Sequence, residues 1–318
     1  MKTRITRSPR VAAMVLRDGG LVAFPTETVY GLGADARNKH AITAIFKAKG
    51  RPPDNPLIVH LADPALLSQV AMRVPKSAQR LLARFAPGPL TVIVPRHPDV
   101  PPAVTAGLDT VAVRIPDHPV AQALLTAYGG PIAAPSANRS GRPSPTTWRA
   151  VAEELDGRIP CILRGSASPI GLESTVLDCT GSHPAILREG AISREALRGV
   201  CPQLADYNPP SVKEPPRSPG QKYRHYAPTA QVVLVDQPQD VPTRRAAQTA
   251  YIGLTHDGFP VRPRRVRRCR DTAEYARLLF RFFRACEKHG VRWIYCQRVP
   301  ETGIGRALMD RLRRAANH

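Results

Sequence analysis

The sequence lacks the short signatures of several large enzyme classes. It contains no GxxxxGK[ST] phosphate-binding loop, no GxSxG nucleophile turn and no HExxH metal-binding pair. These absences argue against P-loop enzymes, hydrolases of the nucleophile-turn type and zinc peptidases of the HExxH class. A GxGxxG fingerprint is missing as well, so a dinucleotide-binding fold has no support.

Cysteine pairs, long apolar runs and carboxylates are also scarce. The six cysteines stand apart, without CxxC or Cys/His ligand spacing, so we expect neither disulfides nor structural zinc. Cysteines of this kind are typical of a protein in the reducing cytoplasm. No apolar run reaches membrane-spanning length, and the basic N-terminus is not followed by the apolar region of a secretory signal. The candidate loops contain few carboxylates, mainly Glu27, Asp54 and Glu173, which argues against a carboxylate metal site.

Positive charge, in contrast, is abundant. The 318 residues include 46 Lys and Arg against 25 Asp and Glu, for a formal net charge of +21. Clustered cations attract phosphates, so the excess favours a polyanionic partner such as nucleotide phosphate or RNA. An arginine-rich proteome would give the same composition, and charge alone does not decide between the two.

Short apolar strands alternate with helical patterns, which predicts an α/β fold with helices covering a sheet. The chain length favours two domains. We place an α/β catalytic domain at residues 1–205 and a smaller α/β domain at residues 229–318. Residues 206–228, between them, are rich in proline and nearly free of aliphatic side chains, which is typical of an extended linker.

The stretch from Val22 to Leu61 concentrates polar side chains near predicted strands. Its pattern predicts a strand, a polar turn, a helix, a basic loop and a second strand. The turn follows the apolar run Leu21 to Phe24, and strand ends are where α/β proteins bind ligands. The helix ends in cations at Lys49 and Arg51, and His60 interrupts the second strand. Such a histidine is more often a core residue bonded to the backbone, so its role stays open.

Four further segments are candidates for phosphate or base contact. Arg114 lies inside the run VAVRIP, either buried against an anion or on an exposed edge strand. The loop PSANRSGRPSPTT is typical of an anion cradle or of a solvated connection. The linker segment KYRHY interleaves cations with rings, which suits stacking on a base. The basic run at 262–270 is typical of a solvated face, with RNA contact the weaker alternative.

Several of these segments resemble one protein family. PTETVYGLG, KGRP followed by NPLIVHL, VRIP, the triplet SAN, EST and LREG are similar to the YrdC-type threonylcarbamoyl-AMP synthases. PGQKYRHYAP and GIGRALMDRLRRAA resemble the long form of that family, which has an extra C-terminal domain. The resemblance extends over nearly the whole chain. It implies a YrdC-like twisted mixed sheet whose helices form a basic cavity, followed by a Rossmann-like α/β domain.

The resemblance implies a nucleotidyltransferase that makes threonylcarbamoyl-AMP from L-threonine, bicarbonate and ATP and releases pyrophosphate. The product would feed the tRNA threonylcarbamoyl-transferase machinery, which modifies the adenosine beside the anticodon. Mg²⁺ would be carried by ATP, with no protein-held metal and no tightly bound organic cofactor. We expect a cytoplasmic monomer without membrane association, and direct contact with tRNA stays open.

The resemblance also implies the site residues, by position in this sequence. Lys49 and Arg51 are the implied catalytic residues. The implied threonine pocket consists of Thr28, His60, Arg114, Ala134 and Ser174. The implied ATP site consists of Arg51, Asn55, Thr110, Ser136, Asn138, Ser144, Arg188 and Tyr226.

Two alternatives accompany this interpretation. A non-catalytic module could bind double-stranded RNA or tRNA in the basic cavity, with an affinity spread over many cations. A carbamoyl-adenylate synthase with another acceptor would differ only in the shape of its pocket. For the C-terminal domain, our hypothesis is that it restrains the linker so that KYRHYAP closes over the nucleotide, as lids do.

Overall fold

The computed structural model describes residues 2–205 and 226–316, which form two sheets with helices packed on them. The strands of the first sheet are β1 (Arg4–Thr6), β2 (Val22–Phe24), β3 (Gly31–Asp35), β4 (Ile58–His60), β5 (Leu90–Pro95), β6 (Thr110–Arg114), β7 (Ile132–Ala133), β8 (Cys161–Leu163), β9 (Thr175–Asp178) and β10 (Ala185–Arg188). Their spatial order is β1-β8-β2-β3-β7-β4-β6-β5-β9-β10. Parallel and antiparallel neighbours both occur, which confirms the predicted mixed sheet.

Helices cover this sheet and direct the chain into its loops. They are α1 (Pro9–Arg17), α2 (Lys39–Lys49), α3 (Lys76–Phe85), α4 (Pro102–Thr105), α5 (Pro119–Tyr128), α6 (Trp148–Leu155) and α7 (Arg194–Arg198), with a 3-10 turn at Pro64–Gln69. In α2 the Asn38 side chain accepts from the backbone N–H groups of His40 and Ala41, which begins the helix. Gly50 ends it at φ 61°, a left-handed conformation that glycine adopts without strain. The chain therefore turns sharply between Lys49 and Arg51.

The centre of the first sheet brings two predicted site residues side by side. β4 and β6 are parallel neighbours, and His60 lies opposite Arg114 in their register. Because β6 is flanked by β4 and β5, Arg114 is in the interior of the sheet and only 3% exposed. The structure thus decides between the two alternatives for Arg114 in favour of burial.

The second sheet is smaller and entirely parallel. Its strands are β11 (Gln231–Val235), β12 (Thr249–Gly253), β13 (Arg265–Arg268) and β14 (Trp293–Gln297), in the order β11-β14-β12-β13. Two helices, α8 (Thr272–Lys288) and α9 (Ile304–Ala316), and 3-10 turns at Pro238–Asp240 and Ala246–Gln248 accompany them. We call residues 229–316 the C-terminal unit. Its parallel sheet confirms the predicted second α/β fold.

The C-terminal unit packs against the first sheet's loops directly behind the site. Along α8, Tyr275, Leu279, Phe280 and Phe283 recur at helical spacing and are fully buried. The same apolar cluster includes Leu172 from the first unit. Each such side chain stabilises the packing by about 1.5–3 kcal/mol. The apolar core of the C-terminal unit therefore extends to the first unit.

Ion pairs reinforce that interface. Buried Arg284 of α8 donates to Glu154 Oε1 of α6 at 2.7 Å and to the carbonyl of Pro143. Arg142 bonds the same carboxylate at 3.2 Å and Glu287 of α8 at 3.0 Å. Breaking one partner of such a buried pair leaves an uncompensated charge, which is costly. The two units are thus joined through charged as well as apolar contacts.

Three strands, β1, β3 and β13, were not expected from the sequence. The segment GLGAD forms β3, antiparallel to β2, so the polar turn joins two strands and does not lead directly into a helix. Part of the basic run at 262–270 forms β13 at the sheet edge. Of the predicted linker, residues 226–228 are described and 206–225 lie outside the described residues. Among the helices that the structure describes, none has the length and apolar character needed to cross a membrane.

Candidate active site

One cavity gathers most of the predicted site residues. It encloses about 650 Å³, counting the solvent space at its mouth, and lies between the first sheet's loops and the start of the C-terminal unit. We call it the central cavity. Its lining comprises Thr26, Thr28, Val29, Gly31, Arg51, Ile58, His60, Arg114, Ala134, Pro135, Ser136, Asn138, Arg142, Ser144, Glu173, Ser174, Arg188 and Tyr226.

The turn between β2 and β3 is held by its own hydroxyls. Thr26 Oγ1 accepts from the backbone N–H of Thr28 and donates to the Val29 carbonyl at 2.6 Å. The two threonine hydroxyls lie 2.8 Å apart. A turn bonded in this way presents a fixed hydroxyl, that of Thr28, to the cavity.

Arg114 is fixed on three sides. Its Nη1 donates to Thr28 Oγ1 at 2.8 Å, its Nη2 to Glu27 Oε1 at 2.6 Å and its Nε to the Gly88 carbonyl at 3.3 Å. Glu27 and Arg114 are both buried, so the carboxylate compensates the charge of the guanidinium. A guanidinium has five N–H donors, which exceeds the three bonds recorded within the described chain. The arrangement leaves a rigid fork with donors to spare at the cavity.

His60 lies beside Arg114 and is neutral. Its Nδ1 is 3.2 Å from the Ile58 carbonyl, and its ring meets Phe24 edge to face at 5.9 Å. Burial, and then the nearby charge of Arg114, lower the pKa of His60 to about 3. The backbone contact that usually satisfies a core histidine is present, yet the ring also lines the cavity. His60 is therefore a core histidine that also lines the cavity, and its role towards a ligand stays a prediction.

Ser174 connects the two halves of the cavity. Its hydroxyl is 2.7 Å from Thr91 Oγ1 of β5. Arg188, at the end of β10, donates from Nη2 to Ser174 Oγ and from Nε to the Ser174 carbonyl, both at 3.1 Å. The serine and the arginine are thus positioned as one group.

The Ser136–Asn138 turn is supported from behind by Lys49. Ser136 Oγ donates to Asn138 Oδ1 at 2.5 Å. Lys49 Nζ donates to the carbonyls of Ser136 and Asn138 at 2.5 and 2.6 Å. Burial and the charge of Arg51 lower the pKa of Lys49 well below its ordinary value. The donors of Lys49 Nζ are thus used in holding the turn's backbone.

Arg51 extends from the sharp turn after α2 towards the cavity. Its Nη2 donates to the carbonyls of Asn55 and Pro56 at 2.9 and 3.1 Å. The Asn55 side chain is fully buried, and within the described chain neither its nitrogen nor its oxygen has a hydrogen-bond partner. Native proteins rarely leave a buried amide unbonded, so Asn55 is a candidate ligand contact.

A hydroxyl, a carboxylate and a ring complete the cavity at its far end. Ser144 donates to Glu173 Oε1 at 2.5 Å. Burial raises the pKa of Glu173, but Arg311, Arg188 and the bond from Ser144 outweigh it and hold this pKa below its usual value. Tyr226 is buried, with φ 67°, and stacks on Phe280 at 5.5 Å. Glu173 is therefore a charged group close to the cavity's other side chains.

The predicted residues divide into two groups by position. Among the described residues, all predicted side chains line the central cavity except Lys49, Asn55 and Thr110. Thr110 begins the strand that Arg114 ends, about 13 Å away along β6. Three polar side chains of the lining were not assigned from the sequence: Thr26, Arg142 and Glu173. The same holds for Glu27, Thr91 and Arg311, which bond lining residues from outside. The EST motif contained a signal for Glu173, whereas Arg311 lies in a helix with many arginines and nothing singled it out.

The cavity suits a substrate that carries anions on two sides. Its lining contains four arginines and one carboxylate. Charge stabilisation by fixed cations is the main requirement of phosphoryl chemistry. Within the described residues, no group of three or more His, Cys, Asp or Glu side chains could hold a metal ion.

Comparisons with known proteins agree with this arrangement. A family model for Sua5, YciO and YrdC proteins, described as telomere recombination, matches residues 14–190. A model described as the C-terminal domain of threonylcarbamoyl-AMP synthase matches residues 192–317. The threonylcarbamoyl-AMP synthases of Pyrococcus abyssi and Bacillus subtilis are each 44% identical to this chain, over 97% and 98% of its length and 94% of their own. The structure of P. abyssi Sua5 complexed with L-threonine has a TM-score of 0.89 at 41% identity, and the match covers 99% of this chain and 97% of that one.

Proposed function

The chain belongs to the Sua5–YciO–YrdC family of threonylcarbamoyl-AMP synthases, and we propose that it joins L-threonine, bicarbonate and ATP into threonylcarbamoyl-AMP with release of pyrophosphate. The observation that carries this proposal is Arg114, a buried and rigid guanidinium that faces the same cavity as Arg51 and Arg188. Arg114 suits an amino-acid carboxylate, and Arg51 and Arg188 suit phosphates. The product serves threonylcarbamoylation of the adenosine beside the tRNA anticodon.

Threonine is assigned to the side of the cavity formed by β4, β6 and the β2–β3 turn. Arg114 binds the carboxylate with the N–H groups beyond its bonds to Glu27 and Thr28, because a planar fork matches a carboxylate. Neutral His60 and the hydroxyls of Thr28 and Ser174 hydrogen-bond the substrate's polar groups. Ala134 leaves room for the methyl group.

ATP is assigned to the opposite side. Arg51 and Arg188 contact the phosphates, while Ser136, Asn138 and Ser144 offer hydroxyl and amide groups. Asn55 does not line the cavity, and its buried, unbonded amide is what supports assigning it to this site. Tyr226 closes the cavity from the linker. Mg²⁺ enters with the nucleotide, on the phosphates, as this ion often does.

The reaction needs no side-chain nucleophile. Bicarbonate takes up a proton and loses water to give CO₂. The threonine ammonium gives up two protons in all, one that balances the water formed and one that goes to solvent. Its nitrogen bonds to the carbon of CO₂ as one C–O π bond breaks, which gives a carbamate. A carbamate oxygen then attacks the α-phosphorus of ATP, and the bond to the β-phosphate oxygen breaks. Arg51 and Arg188 offset the charge on the departing pyrophosphate. Lys49 holds the Ser136–Asn138 turn in place. We therefore assign it a positioning role and not a direct contact with the substrates.

Labelled bicarbonate tests this reaction. We expect label to enter a threonine adduct only when threonine and ATP are both present, with one pyrophosphate released for each adduct. Arg114→Ala serves as the matched variant and is expected to abolish incorporation. Folded wild-type protein that forms no labelled adduct would refute the proposal.

The same protein preparations test the RNA-binding alternative. A module that only tracks phosphates spreads its affinity over many cations. Its salt-dependent RNA affinity would then survive both Arg51→Ala and Arg114→Ala, and no pyrophosphate would appear. Pyrophosphate release that depends on threonine excludes that alternative.

A further inference from the structure

A side chain of the C-terminal unit reaches the groups that line the central cavity. Arg311 of α9 is 0% exposed, although arginines are almost never fully buried without a partner. Its Nε donates to Glu173 Oε2 at 2.9 Å and its Nη2 to the Glu189 carbonyl at 2.9 Å. Its Nη1 donates to Asp310 at 2.5 Å. The second unit therefore places one fixed cation at the site of the first.

The groups that Arg311 contacts belong to the nucleotide side of the cavity. Glu173 accepts from Ser144 with its other oxygen, at 2.5 Å. Glu189 directly follows Arg188 at the end of β10. The guanidinium also lies over the Tyr226 ring, 5.2 Å from its centre, a distance at which a cation and a ring attract each other. One side chain thus contacts three segments that converge on the cavity.

The charge of Glu173 explains why a cation is needed there. Glu173 is the only carboxylate among the described residues that line the cavity. A buried carboxylate without a cation either takes up a proton or repels a nearby phosphate. Against the effect of burial, Arg311 is the leading charge that holds the pKa of Glu173 low. The bond from Ser144 to an ionised Glu173 also depends on that state.

We propose that Arg311 is a positioning residue for the nucleotide: it neutralises Glu173 and, through Glu173 and Tyr226, holds Ser144 and the linker tyrosine at the cavity. The inference rests on the proposed function, because it assigns ATP to this side. It gives the C-terminal unit a defined part in the reaction, since the synthase site is incomplete without a group from α9. Arg311 itself acts through its neighbours and needs no contact with substrate.

A charge-removal series tests the proposal. Arg311→Met leaves Glu173 without its leading cation, and we expect the KM for ATP to rise about thirtyfold or more, the fold-change typical of truncating one partner of a buried, hydrogen-bonded charge pair. The KM for threonine should stay unchanged. Adding Glu173→Gln removes the stranded charge and should restore most of the ATP affinity. Arg313→Met is the matched control, since Arg313 is on the same helix, half-exposed and paired with Glu301, and should leave both constants unchanged.

Two further measurements separate this role from a purely structural one. Arg311→Lys keeps the positive charge but lacks the planar guanidinium, so its KM for ATP should lie between those of wild type and Arg311→Met. This variant also tests the proposal if Arg311→Met does not fold. Calorimetric binding of a non-hydrolysable ATP analogue needs no turnover, so it tests Arg311 even if no adduct forms. An unchanged ATP affinity in Arg311→Met, or a double variant no better than the single one, would overturn the proposal. Absence of adduct in wild type would count only against the synthase reaction.

Discussion

The Arg114 side chain has five N–H donors, and the described residues accept hydrogen bonds from only three of them. Glu27, Thr28 and Gly88 accept three bonds, and they fix the plane of the guanidinium at the cavity. From the sequence, an arginine inside an apolar strand was equally compatible with a sheet edge, because edge or centre depends on strand order. The paired carboxylate, Glu27, stands in a motif 87 residues earlier in the chain, and no local pattern links the two.

We predict that Arg114→Lys weakens threonine binding while leaving the fold intact. A lysine keeps the positive charge but loses the planar fork and the bonds that hold it. The KM for threonine should rise about tenfold to a hundredfold, because charge-assisted hydrogen bonds contribute about 1.5–3 kcal/mol each. Steady-state kinetics with threonine varied at saturating ATP measures this. Arg73→Lys, at an exposed position, is the control, and equal KM values in the two variants would count against the assignment.

The neutral state of His60 makes stability depend on pH. The pKa of His60 is about 3 in the folded protein against an ordinary value of 6.5. Between these pH values the histidine is protonated in the unfolded chain but not in the folded protein. The contribution of neutral His60 to the free energy of unfolding is therefore complete above pH 6.5 and is lost as the pH falls. From pH 6.5 to pH 5 the loss from this one group is up to about 2 kcal/mol.

We therefore predict that His60→Gln flattens the acid side of the stability profile. Urea denaturation of wild type and variant at pH 7, 6 and 5 measures the slopes. Other acid-sensitive groups, including Glu173, are common to both proteins and cancel in the difference. Parallel slopes would show that His60 is not held neutral by the fold.

At the scale of elements, the loops that form the cavity meet because of close backbone contacts. After β10, Gly190 lies against the backbone that carries Ser174. A Cβ built on Gly190 would be 2.1 Å from the Thr175 nitrogen and 2.4 Å from the Ser174 carbonyl carbon. Side chains cannot approach backbone atoms that closely, so the LREG segment requires glycine here for steric reasons.

Gly190→Ala should accordingly displace Ser174 and Arg188. We expect a loss of about 1–3 kcal/mol of stability, the usual cost of overpacking, together with a raised KM for threonine. Thermal unfolding and kinetics measure the two effects. Gly181→Ala is the matched control, because a Cβ built on Gly181 would be 3.7 Å from its nearest neighbour, the His183 carbonyl oxygen. A Gly190→Ala protein that behaves like this control would contradict the steric argument.

The elements that were predicted correctly from the sequence have strong periodic patterns. The apolar patterns predict helices at 148–155 and 272–288 and strands at 175–178 and 231–235, and α6, α8, β9 and β11 have these bounds. β3 was missed because its two glycines lack strand propensity, and pairing with β2 and β7 overrides that local preference. β13 was missed because its residues are mostly arginines. At the site, the motifs indicated the loops. Arg311 could not be predicted, because its contact with Glu173 depends on how the two units pack.

At the scale of the molecule, the C-terminal unit closes one wall of the site. Tyr226 belongs to the cavity, yet its ring stacks on Phe280 of α8 and lies under Arg311 of α9. The φ of Tyr226 is 67°, a conformation that non-glycine residues adopt only when their surroundings hold them. The hypothesis that this unit restrains the linker requires such contacts at Tyr226, and it stays a prediction.

We predict that Phe280→Leu weakens use of ATP without unfolding the protein. Leucine keeps most of the apolar bulk but removes the stacked ring, and aromatic pairs contribute about 0.5–1.5 kcal/mol beyond burial. The KM for ATP should therefore rise about threefold to tenfold. Phe283→Leu, equally buried on the same helix, controls for the loss of core packing. If both variants raise the KM for ATP equally, the stack has no separate part in the site.

A crystal structure with threonine and a non-hydrolysable ATP analogue tests the central claim most directly, namely that one cavity holds both substrates. The account predicts the threonine carboxylate within hydrogen-bond distance of Arg114, and the triphosphate against Arg51 and Arg188. The threonine nitrogen should face the α-phosphorus, with Tyr226 over the nucleotide. A nucleotide bound elsewhere, for example along the arginines of β13, or a threonine carboxylate away from Arg114, would contradict it.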